Sequence, residues 1–201
     1  KYAKSGKVSR TGRVGPCLCR ITITSGPGVP LLMETYPGTV SLKTELPRLL
    51  ERVDSLIGEG ELRRITVVMD AEMATPKLLY ALKSDTRRTF ITVLKGVNIE
   101  KNFTPTSSAW QPYRERDELR EGTVVLHGQS VPKEGFELRA VEMRRPGRHA
   151  HSTFFGTSAA MDSMNTEQVA DGYLSRWPHQ EQLFRNARNG LGLNRSHGYG
   201  G

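Results

Sequence analysis

The apolar run at 65–69 (ITVVM), which ends directly on Asp70, constrains the fold of this chain more than any other feature. A short continuous apolar run without polar alternation is what a strand covered on both faces requires, so it predicts a central strand that delivers a carboxylate at its end. Thr75 followed by Pro76 makes an N-cap and first-turn pair, and Leu78, Leu79 and Leu82 share the apolar side of the short helix it opens. Residues 89–94 (TFITVL) then read as a second buried strand. The unit is strand, helix, strand, which places the chain among α/β folds.

Around that unit the pattern is less regular. Residues 17–24 (CLCRITIT) and 30–35 read as a hairpin across the turn Ser25-Gly26-Pro27-Gly28. That turn lacks the Lys-Ser/Thr pair of a phosphate loop. Leu46, Leu49, Leu50, Val53, Leu56 and Ile57 recur at helical spacing and predict an amphipathic helix ending near Gly58. From 95 to about 135 the sequence is polar and charged, with only 123–126 apolar enough for a strand. Strands are predicted at 136–143 and 153–156, and Thr166 is predicted to cap a final helical stretch towards Arg188, interrupted near Pro178.

The 201 residues allow one domain with room for an insertion, and 29 Lys and Arg against 21 Asp and Glu give a net charge of +8. The positive charge gathers at the two ends. Lys1, Lys4, Lys7, Arg10, Arg13 and Arg20 precede any acid, and Arg176, Arg185, Arg188 and Arg195 face Glu181 alone in the tail. Such clusters suit a polyanion; the plain alternative is a solvated basic surface. No stretch approaches the roughly 18 apolar residues of a membrane span, and no apolar run follows the basic start. Cys17 and Cys19 would share a strand face too closely for an unstrained bridge, and two Cys without paired spacing exclude a structural zinc site. His149 and His151 sit in a basic loop with Arg144, Arg145 and Arg148 and read as part of it. The chain starts on Lys1 and closes on a glycine-rich run from Gly190, which reads as a piece of a longer chain.

Two places can carry chemistry. Asp70, at the end of a buried strand, stands where α/β sheets hold metals and substrates; its plain alternative is a turn or helix-cap aspartate. In the tail, Tyr173, Arg176, Glu181, Phe184, Arg185 and Arg188 follow one another with an acid and two cations on or beside one helix face. There the plain alternative is an exposed Glu181–Arg185 salt bridge.

The tail resembles the Y-R-E-K signature of DDE-type insertion-sequence transposases, in which Tyr, Arg, Glu and Lys are separated by two, three and six residues on the helix bearing the last catalytic acid. Here Tyr173, Arg176, Glu181 and Arg188 are separated by two, four and six, Gln180 holds the expected acid position, and Arg replaces Lys. The run 65–73 with the following helix and strand is similar to the segment carrying the second acid, so the likeness spans nearly the whole chain. It implies a ribonuclease-H-like mixed sheet flanked by helices, with the first part of the core at 1–95, a mainly β insertion at 96–165 and the helical remainder of the core at 166–201.

The same resemblance implies metal-dependent DNA strand cleavage and strand transfer, with carboxylates holding two Mg²⁺ or Mn²⁺ ions. Asp70 and Glu181 would be catalytic metal ligands, and Tyr173, Arg176, Arg185 and Arg188 would meet DNA. The implied setting is the bacterial cytoplasm, on transposon ends, as a homodimer in a DNA complex without a membrane. The family's first Asp has no counterpart, because no Asp precedes Asp54; it is expected upstream of Lys1, leaving this piece inactive alone. A non-catalytic DNA-binding remnant, or a related metal-dependent nuclease, are the alternatives.

Overall fold

The computed structural model describes residues 4–7, 14–26, 29–38, 40–57, 65–96, 98–147 and 152–176. Glu181, Arg185 and Arg188, together with the His149–His151 loop, lie outside them. The chain divides into two compact units, Lys1–Leu46 with Ser175–Gly201, and Pro47–Leu174.

In the first unit, β1 (Lys4–Lys7), β2 (Val14–Thr24) and β3 (Pro30–Pro37) form an antiparallel sheet in that order. The predicted hairpin is β2–β3, and the Ser25 amide donates to the Val29 carbonyl at 2.8 Å across its turn. The helix α1 (Leu42–Leu56) crosses the division. Leu46, Leu49, Leu50 and Val53 are buried as their spacing predicts, whereas Leu56 is 65% exposed and Ile57 falls beyond the helix end. The apolar stripe therefore stops at Val53.

The second unit is built on a mixed sheet of seven strands flanked by helices. β4 (Thr66–Met69) leads through a short 3-10 turn, Ala71–Met73, into α2 (Pro76–Ser84) and β5 (Thr89–Leu94). β4 and β5 are parallel, with Thr66 opposite Thr89 and Met69 opposite Thr92. This is the predicted strand–helix–strand unit, and Leu78, Leu79 and Leu82 bury the helix. Thr75 precedes Pro76 as expected, but its side chain makes no capping bond. The chain then forms α3 (Ile99–Asn102), β6 (Phe103–Pro105), β7 (Gln111–Tyr113), β8 (Asp117–Leu126), β9 (Phe136–Arg144), β10 (Thr153–Thr157) and α4 (Thr166–Leu174). The sheet order is β4-β5-β10-β9-β8-β6, with β7 also on β8; every pair except β4–β5 is antiparallel.

Two sequence expectations need correction. The apolar run predicts β4 at the centre, whereas it ends the described strand order, with three half-buried residues and Met69 buried. A continuous apolar run reports cover on a strand's faces, which is independent of whether both its edges are paired. β8, expected only over 123–126, begins at Asp117 because its charged residues are neutralised across the sheet. Glu118 faces Arg144 and Arg120 faces Glu142 in register, and both pairs are ionic, at 2.8 Å and 2.6 Å. Polarity that looks like loop in sequence is here cross-strand pairing.

Successive strand residues point to opposite faces, so β9 separates two cores. Phe136 meets Tyr80 of α2 with ring centroids 5.3 Å apart. Val141 joins Ile91, Leu119 and Phe155 beneath Val169, Ala170 and Tyr173 of α4. The predicted cap of α4 shifts by one residue: the Asn165 side chain accepts from the Gln168 amide and the Gln168 side chain from the Asn165 amide, both at 2.9 Å. This is a reciprocal capping box. Thr166 donates its hydroxyl to Glu121 instead.

Candidate functional site

Asp70 leaves β4 at its carboxyl end and is exposed. Its backbone is extended, with φ −67° and ψ 153°, and one carboxylate oxygen accepts the Glu72 amide at 3.2 Å, capping the 3-10 turn. The Thr92 hydroxyl of β5 donates to the Asp70 carbonyl at 3.3 Å, tying the two parallel strand ends together. The plain reading of Asp70 as a cap is thus fulfilled.

Tyr173 belongs to the same unit but lies inside it. Its ring is 8% exposed and stands 5.5 Å from that of Phe155. Val68, two residues before Asp70, packs against the cluster that contains Tyr173. α4 therefore seats on the face of the very strand that ends in Asp70. Arg176 follows the end of α4 and is half-buried. Glu181, Arg185 and Arg188 lie outside the described residues, so of the expected site only Asp70, Tyr173 and Arg176 have a position.

Further round the unit, the Tyr113 hydroxyl donates to Asp171 of α4 at 2.5 Å, and Arg114 pairs with the same carboxylate at 2.9 Å. Burial, and then the neighbouring carboxylate, push the Tyr113 phenol up to about 12. The hydrogen bond from Tyr113, against a counteracting burial, holds Asp171 below the usual carboxylate range. The Arg145 guanidinium does the same for Asp117 at the start of β8.

Past the end of β5 there is a cavity of about 240 Å³, bordered by Leu94, Lys95, Asn98, Ile99 and His127 with Pro76 of α2. Sequence reasoning passes over it, because His127 and Lys95 stand in no spaced motif. The one local signal is the pair of glycines, Gly128 and Gly135, downstream of His127.

Oxygen donors such as Asp70 suit Mg²⁺ or Mn²⁺. Among the described residues no group of three His, Cys, Asp or Glu could hold a metal ion. The described part of the site thus offers a donor of the right chemistry but not a complete cage. No protein-family model and no curated protein matches this chain.

Proposed function

We propose that the chain is the catalytic domain of a DNA transposase, in which Asp70 and Glu181 are two of the carboxylates that hold Mg²⁺ or Mn²⁺ for cleavage and transfer of a DNA strand. The observation that carries this reading is the exposed Asp70 at the joined ends of a parallel strand pair, with α4 packed on the same strand. A mixed seven-stranded sheet flanked by helices is compatible with a ribonuclease-H-like fold. When bound, the metal would polarise the phosphoryl oxygen and supply a nucleophile at neutral pH. The chain's own residues orient it. Asp70 presents a carboxylate that accepts the Glu72 amide, and the core-bound Tyr173 anchors α4 against the cluster that Val68 of β4 joins. Arg176, Arg185 and Arg188 give forked, charge-assisted contacts to phosphate.

A second reading is a DNA-binding protein that does not cleave: among the described residues no group of three His, Cys, Asp or Glu could hold a metal ion, and the net charge of +8 suits a polyanion. Mn²⁺ titration followed by electron paramagnetic resonance separates the two. On the enzymatic reading Asp70→Asn and Glu181→Gln each remove a charged oxygen ligand and weaken Mn²⁺ binding, and in a chain that carries the first acid each abolishes strand cleavage while retaining DNA binding. Mn²⁺ affinity indifferent to both substitutions sinks the metal assignment and leaves the binding protein.

A further inference from the structure

The cavity beyond β5 has a one-sided chemistry. None of its lining residues is Asp or Glu, whereas an amine, an imidazole and two carboxamides border it. Lys95 is exposed, and no ion pair among the described residues neutralises it. Part of the lining is apolar, with Leu94 and Leu126 buried at 5% and 6% exposure. The Asn102 side chain spends its amide on the Val125 carbonyl at 3.4 Å and so braces that wall.

His127 is held at the rim by what its neighbours lack. Gly135 has φ +83°, and a Cβ there would stand 2.8 Å from both Cε1 and Nδ1 of His127. At Gly128 a Cβ would stand 2.9 Å from Cβ of Pro76. The β8–β9 connection therefore reaches the start of α2 at Gly128 and folds back against its own His127 at Gly135, two positions that no larger residue could occupy without displacement. Those close approaches give the cavity its wall and His127 its place. Ala74 and Pro76 of the wall follow directly on the turn that Asp70 caps, so the cavity belongs to the same rim of the sheet.

We propose that this cavity is a subsite for a phosphate-bearing sugar unit, in which Lys95 meets the phosphate, Asn98 and His127 hydrogen-bond to its oxygens, and the apolar wall takes the sugar carbons. A few polar donors over an apolar wall is the ordinary make-up of a small-ligand site. The ligand class rests on the reading of the chain as a nucleic-acid enzyme; Asp70 and the metal take no part. The phosphate comes either from a DNA strand or from a free nucleotide.

The test is a titration of the whole chain in EDTA, so that loss of metal-dependent cleavage leaves the readout untouched. The probes are a deoxynucleoside monophosphate and a 5′-phosphorylated single-stranded oligonucleotide, with the His127 imidazole resonances followed by NMR and affinity by fluorescence competition. The expected result is a saturable His127 shift, weakened about tenfold by Lys95→Ala and largely restored by Lys95→Arg. An oligonucleotide binding at least tenfold tighter than the monophosphate makes the strand the source; equal affinities make it the free nucleotide. His127 resonances that stay still with both probes, or a Lys95→Ala protein that binds them as the unaltered chain does, overturn the assignment. Gly135→Ala adds an independent check, because displacing the His127 ring lowers affinity without removing charge.

Discussion

Tyr113 shows how much one hydroxyl contributes to holding α4. Its ring is 6% exposed, its proton is committed to Asp171, and Arg114 completes the cluster from a left-handed backbone at φ 51°. In the folded chain the phenol keeps its proton up to about 12, while in the unfolded chain it ionises near 10. Between those values the native state holds more protons, so its stability is fully present below pH 10 and falls as pH rises towards 12. Tyr113→Phe removes that slope. Urea unfolding at pH 9 and pH 11.5 should show the unaltered protein losing on the order of 1–2 kcal/mol more than the variant between the two. Equal losses would mean that the phenol is not held by its surroundings. Asp171 acts with the opposite sign. Its carboxyl is depressed by Tyr113 first and by Arg114 after burial, so its contribution is present above about pH 4 and is lost as pH falls below that.

At the scale of elements, the second unit is held by ion pairs as much as by its core. Arg139 of β9 bonds Glu121 of β8 at 2.5 Å and donates to the carbonyls of Ala159 and Met164, at 3.0 Å and 2.8 Å, in the segment that precedes α4. Arg139→Ala strands the largely buried Glu121 and two carbonyls and should cost about 3 kcal/mol in urea unfolding. Replacing both partners, Arg139→Met with Glu121→Leu, should recover much of the loss, because the stranded charge is gone; no recovery would place the cost in packing. The same residues explain what the sequence could reveal. The β4–α2–β5 unit, the hairpin, β9 and β10 are legible because their apolar residues form short continuous runs or repeat at strand or helix spacing. Most of β8 is not, since Glu118, Arg120 and Glu121 are matched only with Arg144, Glu142 and Arg139 some twenty positions away. Asp70 can be singled out because it interrupts an apolar run. Lys95 and His127 cannot, because the cavity that joins them depends on close approach at Gly128 and Gly135 rather than on spacing.

Across the whole molecule the charge is partitioned by unit. Pro47–Leu174 carries 18 basic and 18 acidic residues and is neutral. The remaining 11 basic and three acidic residues, in Lys1–Leu46 and Ser175–Gly201, account for the entire net charge of +8. Among the described residues of the second unit, Arg87, Arg88, Arg114, Arg120, Arg139, Arg144 and Arg145 all pair with carboxylates. A guanidinium already paired with a carboxylate neutralises no phosphate and displaces none of the counterions condensed on DNA, so on the proposed function most of the salt-dependent part of DNA binding belongs to the first unit. Replacing Arg10, Arg13 and Arg185 with Gln should reduce the slope of log affinity against log salt by up to about 0.9 for each duplex phosphate that is no longer neutralised. The same exchange at Lys77, Lys101 and Lys133, exposed in the neutral unit, should leave the slope unchanged. Gel shifts across roughly 50–300 mM salt decide between them. If the two triple variants flatten the slope equally, the charge acts as a diffuse field over the whole chain, and the ends have no privileged role in holding the strand.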